Sequence, residues 1–147
     1  MERETAKAME GESGFQDPIS LTLPSSPEYV LLARLVMGQA GRLAGLEPDE
    51  VYDLKLAVTE AVTNVIRHAS VESYEIEYKV LPSGVEVSVT DAGGGFSVTE
   101  LAGESDEHGG FGLAVIRNLV DELVLDSTRD GGTRLKMIRR SADKPEG

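Results

Sequence analysis

Four short groups of residues stand out for the chemistry that their types and spacing permit. Glu60 and Asn64 are four apart, so on a helix they lie one above the other on one flank. A carboxylate there can accept a proton, and an amide oxygen can ligate a hard cation. Mg²⁺ takes few protein oxygens, because waters and phosphates complete its octahedron, so one Asn suffices. The run Asp-Ala-Gly-Gly-Gly-Phe over 91–96 begins with a carboxylate able to accept from an exocyclic amine such as that of adenine. Its Gly93 and Gly95 allow backbone to approach a ligand closely. In the run Gly-Gly-Phe-Gly-Leu-Ala-Val-Ile over 109–116, Gly110, Gly112 and Leu113 lead directly into a helical pattern. Unpaired N–H groups and the helix dipole make such a start an anion site, above all for phosphate. The fourth group is Gly131-Gly132-Thr133. Each has a plainer alternative: a surface Glu–Asn pair, a glycine turn, a glycine-led helix cap and a hairpin turn.

These groups need elements to hold them. Residues 19–23 alternate apolar and polar with the period of a half-buried strand. Ser26-Pro27 then reads as a helix start, with the helix running over 27–43 and ending at Gly45. Pro48-Asp49-Glu50 opens a second helix to about residue 69, its acids set against the positive end of the dipole. On it Val51, Leu54, Val58, Ala61, Val62 and Val65 form one apolar face, with Glu60 and Asn64 on its flank beside Leu56 and Ala57. Segments 71–81 and 85–90 read as strands joined at Pro82-Ser83-Gly84, followed by an irregular glycine-rich stretch over 91–110. A helix over 112–123 and strands over 124–127 and 133–138 complete the order. Hairpin links predominate, which predicts an α+β sandwich: a mostly antiparallel sheet with helices on one face.

Composition narrows the class. The chain has 147 residues with 14 Lys+Arg, 26 Asp+Glu and a net charge of −12. That length suits one domain, expected over 18–140 between tails at 1–17 and 141–147. With no cysteine, a disulfide framework, a Cys-ligated zinc site and thiol catalysis are excluded. The acidity argues against nucleic acid, which is held by Lys and Arg on phosphate. No apolar run is long enough to cross a bilayer, and the charged N-terminus lacks the apolar core of a signal peptide. A cytoplasmic domain is expected.

In this order the four groups resemble the N, G1, G2 and G3 boxes of the GHKL ATPase superfamily. Residues 54–69, 24–30 and 112–122 are similar to the RsbW/SpoIIAB-type anti-sigma factor serine kinases, a likeness that covers about residues 19–139. A sensor histidine kinase would bring a dimerisation helix pair with its phosphorylated His, and His68 is no substitute.

The resemblance implies a Bergerat-type ATPase sandwich that binds ATP or ADP with Mg²⁺. Asn64 would hold the Mg²⁺ between the phosphates, and Asp91 would read the adenine amine with support from Thr133. Gly93 and Gly95 would shape the adenine pocket, while Gly110, Gly112 and Leu113 would begin the phosphate-facing helix. Glu60 would be the general base towards a protein serine. The implied partners are a sigma factor, a STAS-type anti-anti-sigma protein and a second copy of the chain. One departure is visible: residues 96–109, where the family places a lid, carry Glu100, Glu104, Asp106 and Glu107 but no Lys or Arg. Two other readings stay open: a nucleotide-gated anti-sigma binding protein with little catalysis, and a switch kinase that binds no sigma factor.

Overall fold

The computed structural model describes residues 17–92, 112–127 and 131–142. Five strands form one antiparallel sheet in the order β1-β2-β3-β5-β4. They are β1 (Ile19–Pro24), β2 (Ser73–Leu81), β3 (Gly84–Asp91), β4 (Glu122–Ser127) and β5 (Thr133–Arg140). Helices α1 (Val30–Leu43), α2 (Pro48–His68) and α3 (Gly112–Leu119) cover one face. The predicted α+β sandwich is the observed one. No helix among the described residues is long and apolar enough to cross a membrane.

Strand alternation decides which residues reach the helices. Tyr74, Ile76 and Tyr78 of β2, Val85, Val87 and Val89 of β3, and Leu135 and Met137 of β5 are all buried in the core. The intervening residues, among them Glu75, Glu77, Ser88, Thr90, Arg134 and Lys136, lie on the open face. Against the buried row pack Val51, Leu54, Ala57, Val58, Ala61, Val62 and Val65 of α2, the stripe expected from its 3.6-residue period with Ala57 added. The Tyr78 hydroxyl donates to the Ala33 carbonyl at 2.9 Å, which fixes α1 to the sheet.

Several boundaries differ from those read in the sequence. The helix expected over 27–43 opens with a 3-10 turn, Pro27–Tyr29, before α1 proper. The helix expected over 112–123 ends at Leu119, because β4 starts earlier than expected. The Asp121 N–H donates to the Ile138 carbonyl at 2.8 Å, and Leu123 stands opposite Met137. An apolar residue at 123 satisfies helical and strand periods alike, and pairing with β5 decides between them. Strand β3 extends one residue further than expected at each end, so that Asp91 is a strand residue, and β5 runs on to Arg140. All but Asp17 of the expected N-terminal tail, and 143–147 of the C-terminal one, lie outside the described residues.

The end of β5 is tied to α2. Glu50 is 4% exposed and accepts from its own helix at the Glu47 N–H (2.8 Å) and from the Ala142 N–H (2.9 Å). Burial pushes the Glu50 carboxyl up, but those two donors and the Arg139 guanidinium outweigh it and leave its pKa below the usual carboxylate value. Its contribution to stability is therefore complete above the usual carboxylate pKa and is lost as pH falls through the depressed value.

Two predictions follow from these contacts. A Cβ at Gly84 would sit 2.3 Å from the Arg139 carbonyl oxygen, where only backbone could give way. Gly84→Ala should lower the urea-unfolding free energy by about 1–3 kcal/mol. Glu50→Gln should lower stability at neutral pH by about 1 kcal/mol and flatten its decline between about pH 5 and about pH 3, read from urea titrations across that range.

Candidate functional site

Chain direction gathers the candidate residues at one end of the domain. Helix α2 ends at His68 and passes through Ala69 to β2, whose first residues pair with the last of β3. Strand β5 begins at that same edge, with Asp91 opposite Thr133. The last turns of α2, the end of β3 and the start of β5 therefore meet there. Helix α3 is directed likewise: the chain leaves it at Leu119 to start β4 opposite Ile138, near the far end of β5. Its N-terminus, at Gly112, is the end away from that far edge.

Asp91 shares the parity of Val85, Val87 and Val89, and Thr133 that of Leu135 and Met137. Both therefore face the helix layer. They are 3% and 7% exposed, and directly opposed Cα atoms in such a ladder lie about 4.5–5.5 Å apart. A carboxylate and a hydroxyl at the rim of an otherwise apolar face form a polar recess suited to a hydrogen-bonding ligand. Gly131, at φ +89°, turns the chain into β5 in a backbone conformation that L side chains rarely adopt. On α2, Asn64 is 8% exposed although polar, and Glu60, one turn earlier, is half-buried. Leu113 is buried with Ile116 and anchors the start of α3 in the core. Gly93, Gly95, Gly110 and residues 96–109, including His108, lie outside the described residues.

The opposite end of the domain carries a residue that sequence reasoning missed. Arg139 Nη1 donates to Asp53 Oδ2 at 3.0 Å and to the Leu119 carbonyl at 2.7 Å. It thereby holds the C-terminal end of α3 against the first turns of α2. No local signal marks Arg139, because its partners lie 86 and 20 residues away. A cleft of about 480 Å³ opens beside it, lined by Asp53, Leu119, Asp121, Arg139, Arg140 and Ala142. That cleft is at the far end of the sheet from Asp91 and Thr133.

A buried carboxylate at a strand end, a hydroxyl opposite it and a buried amide on the covering helix lie at one end of an α+β sandwich of the GHKL type. The histidine kinase-like ATPase domain family matches the chain over residues 23–139. Serine-protein kinase RsbW of Listeria innocua is 38% identical over 124 residues, covering 74% of this chain and 79% of that protein. The RsbW of Staphylococcus epidermidis is 31% identical over 140 residues, covering 84% and 87%. The chain thus belongs to the histidine kinase-like ATPase domain family, among the RsbW serine-protein kinases.

Solved structures agree on the fold. The RsbU and RsbW domains of a Mycobacterium tuberculosis protein superpose with a TM-score of 0.65 at 20% identity, over 85% of this chain and 32% of that one. The Acinetobacter baumannii histidine kinase AdeS gives 0.53 at 13% identity, over 92% and 74%.

The Arg139 clamp is testable by itself. Arg139→Met keeps the apolar stem and removes both donated bonds. It should cost about 1–2 kcal/mol in chemical denaturation, a partly exposed ion pair contributing less than a buried one. In an Asp53→Asn background the loss should be smaller, which a double-mutant cycle measures.

Proposed function

We propose that this chain is an ATP-dependent protein-serine kinase and anti-sigma factor, which phosphorylates a STAS-type anti-anti-sigma protein on serine and sequesters a sigma factor. The observation that carries the reading is the buried Asp91–Thr133 pair on the helix-facing side of the sheet, at the end of the domain where Asn64 also lies. The RsbW relatives, named serine-protein kinases, support serine as the acceptor, and the resemblance to anti-sigma factor kinases suggests the partners and a homodimer. The described donor set fits the nucleotide. A carboxylate and a hydroxyl suit an adenine amine and its hydrogen-bonded surroundings, an amide oxygen suits Mg²⁺, and a helix N-terminus suits phosphate.

In this reading Asp91 accepts from the adenine amine, and Thr133 supports that carboxylate. Asn64 offers its amide oxygen to Mg²⁺, and the start of α3 at Gly112 offers backbone N–H groups to the phosphates. The roles that the resemblance implies for Gly93, Gly95 and Gly110 fall outside the described residues. Bound Mg-ATP supplies the phosphoryl group, with the cation offsetting charge on its oxygens. Glu60 takes the proton of the substrate serine as its oxygen bonds to the γ-phosphorus and the bond to the bridging oxygen of ADP breaks. Positioning accounts for most of the remaining catalysis. The net charge of −12 makes that arrangement depend on Mg²⁺ and backbone dipoles, since the protein as a whole repels a polyanion.

A second reading rests on residues 96–109, which hold four acids and no Lys or Arg. Phosphoryl transfer gains from a cation near the γ-phosphate. Without one, the chain would serve as a nucleotide-gated anti-sigma protein with negligible turnover.

Calorimetry and a phosphotransfer assay separate the two. Asp91→Asn should weaken both Mg-ATP and Mg-ADP by at least about tenfold, equivalent to about 1.4 kcal/mol. Glu60→Gln should leave those affinities within about threefold and slow transfer to a STAS-protein serine by about 100-fold or more. Absence of nucleotide binding by the wild type would sink both readings. Binding and sigma capture without transfer to serine would favour the second.

A further inference from the structure

Three polar residues stand in one row across the sheet. In the β2–β3 ladder Glu75 lies opposite Thr90, so one step on Tyr74 lies opposite Asp91, which in turn lies opposite Thr133 of β5. Tyr74 shares the parity of Ile76 and Tyr78 and is 2% exposed, which puts it with Asp91 and Thr133 on the helix-facing side. The next row inward, Ile76, Val89 and Leu135, is wholly apolar. Tyr74 is thus the neighbour of Asp91 on the β2 side, as Thr133 is on the β5 side.

The two tyrosines of β2 face the same way and differ in one respect. The Tyr78 hydroxyl donates to the Ala33 carbonyl. The Tyr74 hydroxyl is buried and has no hydrogen-bond partner among the described residues. A buried hydroxyl without a partner carries a desolvation cost that phenylalanine, with the same ring, would not incur. Buried polar groups are nearly always satisfied, so this one calls for a partner from outside the fold. Burial raises the Tyr74 pKa above the ordinary phenol value, so the group stays protonated near neutral pH and can donate.

Its place in the row identifies that partner. Opposed residues on one face of an antiparallel pair are close enough for their side chains to interact. A phenol reaches further from the sheet than a carboxylate, however, so a water between them is needed to join the two. We propose that Tyr74 positions Asp91 for the nucleobase. In the nucleotide complex its hydroxyl donates to a water held by the Asp91 carboxylate, and this fixes the carboxylate for the adenine amine. The proposal rests on the reading of Asp91 as the acceptor of that amine, and it adds a residue that lies outside all four motifs.

Stability and affinity should move separately, which a purely structural tyrosine would not show. Tyr74→Phe removes one oxygen and keeps the ring. In nucleotide-free protein it should leave the urea midpoint unchanged or raise it, and in calorimetry it should weaken Mg-ADP by about three- to tenfold. Tyr78→Phe should do the reverse: a lower urea midpoint from the lost Ala33 bond, with Mg-ADP affinity within about twofold. Purine riboside 5′-diphosphate lacks the exocyclic amine, so wild type and Tyr74→Phe should bind it within about twofold of one another. A Tyr74→Phe midpoint as low as that of Tyr78→Phe would show the hydroxyl already satisfied within the protein and overturn the proposal. Unchanged Mg-ADP affinity in Tyr74→Phe, or an equal loss for both diphosphates, would overturn it while leaving the role of Asp91 standing. A wild type that binds no nucleotide would overturn the functional reading and this proposal together.

Discussion

The antiparallel register between β3 and β5 is the constraint on which the rest of the site depends. Side chains alternate along a strand, so a slip of one residue would exchange the two faces of the sheet. In the observed register Asp91 and Thr133 oppose one another at the same end and on the same side as the apolar rows Val85-Val87-Val89 and Leu135-Met137. The residues that make the sheet adhere to its helices are thus in phase with the two that give it a polar recess. Gly84 sits at the other end of the pairing, where its missing Cβ lets the β3 backbone approach Arg139.

The helix layer is fixed around that sheet from both ends. At the far end Glu50 holds the chain beyond β5, and Arg139 holds the end of α3 to α2. At the near end Asp91, Thr133 and Asn64 are buried, Asn64 on α2 although its neighbours on the stripe are alanine and valine. Buried polar side chains thus gather at one end of the domain, and the Arg139–Asp53 and Arg140–Glu122 ion pairs lie at the other.

Much of this was legible locally. The α2 stripe, the Gly45 stop, the Pro82-Ser83 turn and the β-α-α-β-β-α-β-β order follow from period, turn chemistry and helix-start signals, and each appears in the structure. The end of α3 was not legible, because Leu123 fits both a helical and a strand period and only its pairing with Met137 selects the strand. The Arg139 clamp was not legible either. Arg139 and Arg140 are adjacent cations of the same type, yet Arg139 reaches Asp53 and Leu119 while Arg140 pairs with Glu122 at 2.8 Å.

The sequence by itself determined the elements and the four ordered motifs, because helical period, strand alternation, helix starts and glycine turns act over a few residues. It also determined the acidity that makes a polyanionic ligand depend on a cation and on backbone dipoles. Only the tertiary structure decided that Asp91 and Thr133 are opposed strand residues facing the helices, and that Asn64 is buried beside an exposed face. Those outcomes depend on which strand lies beside which and on how closely two helices approach. Both are settled by contacts between residues far apart in the chain, to which no local pattern gives access.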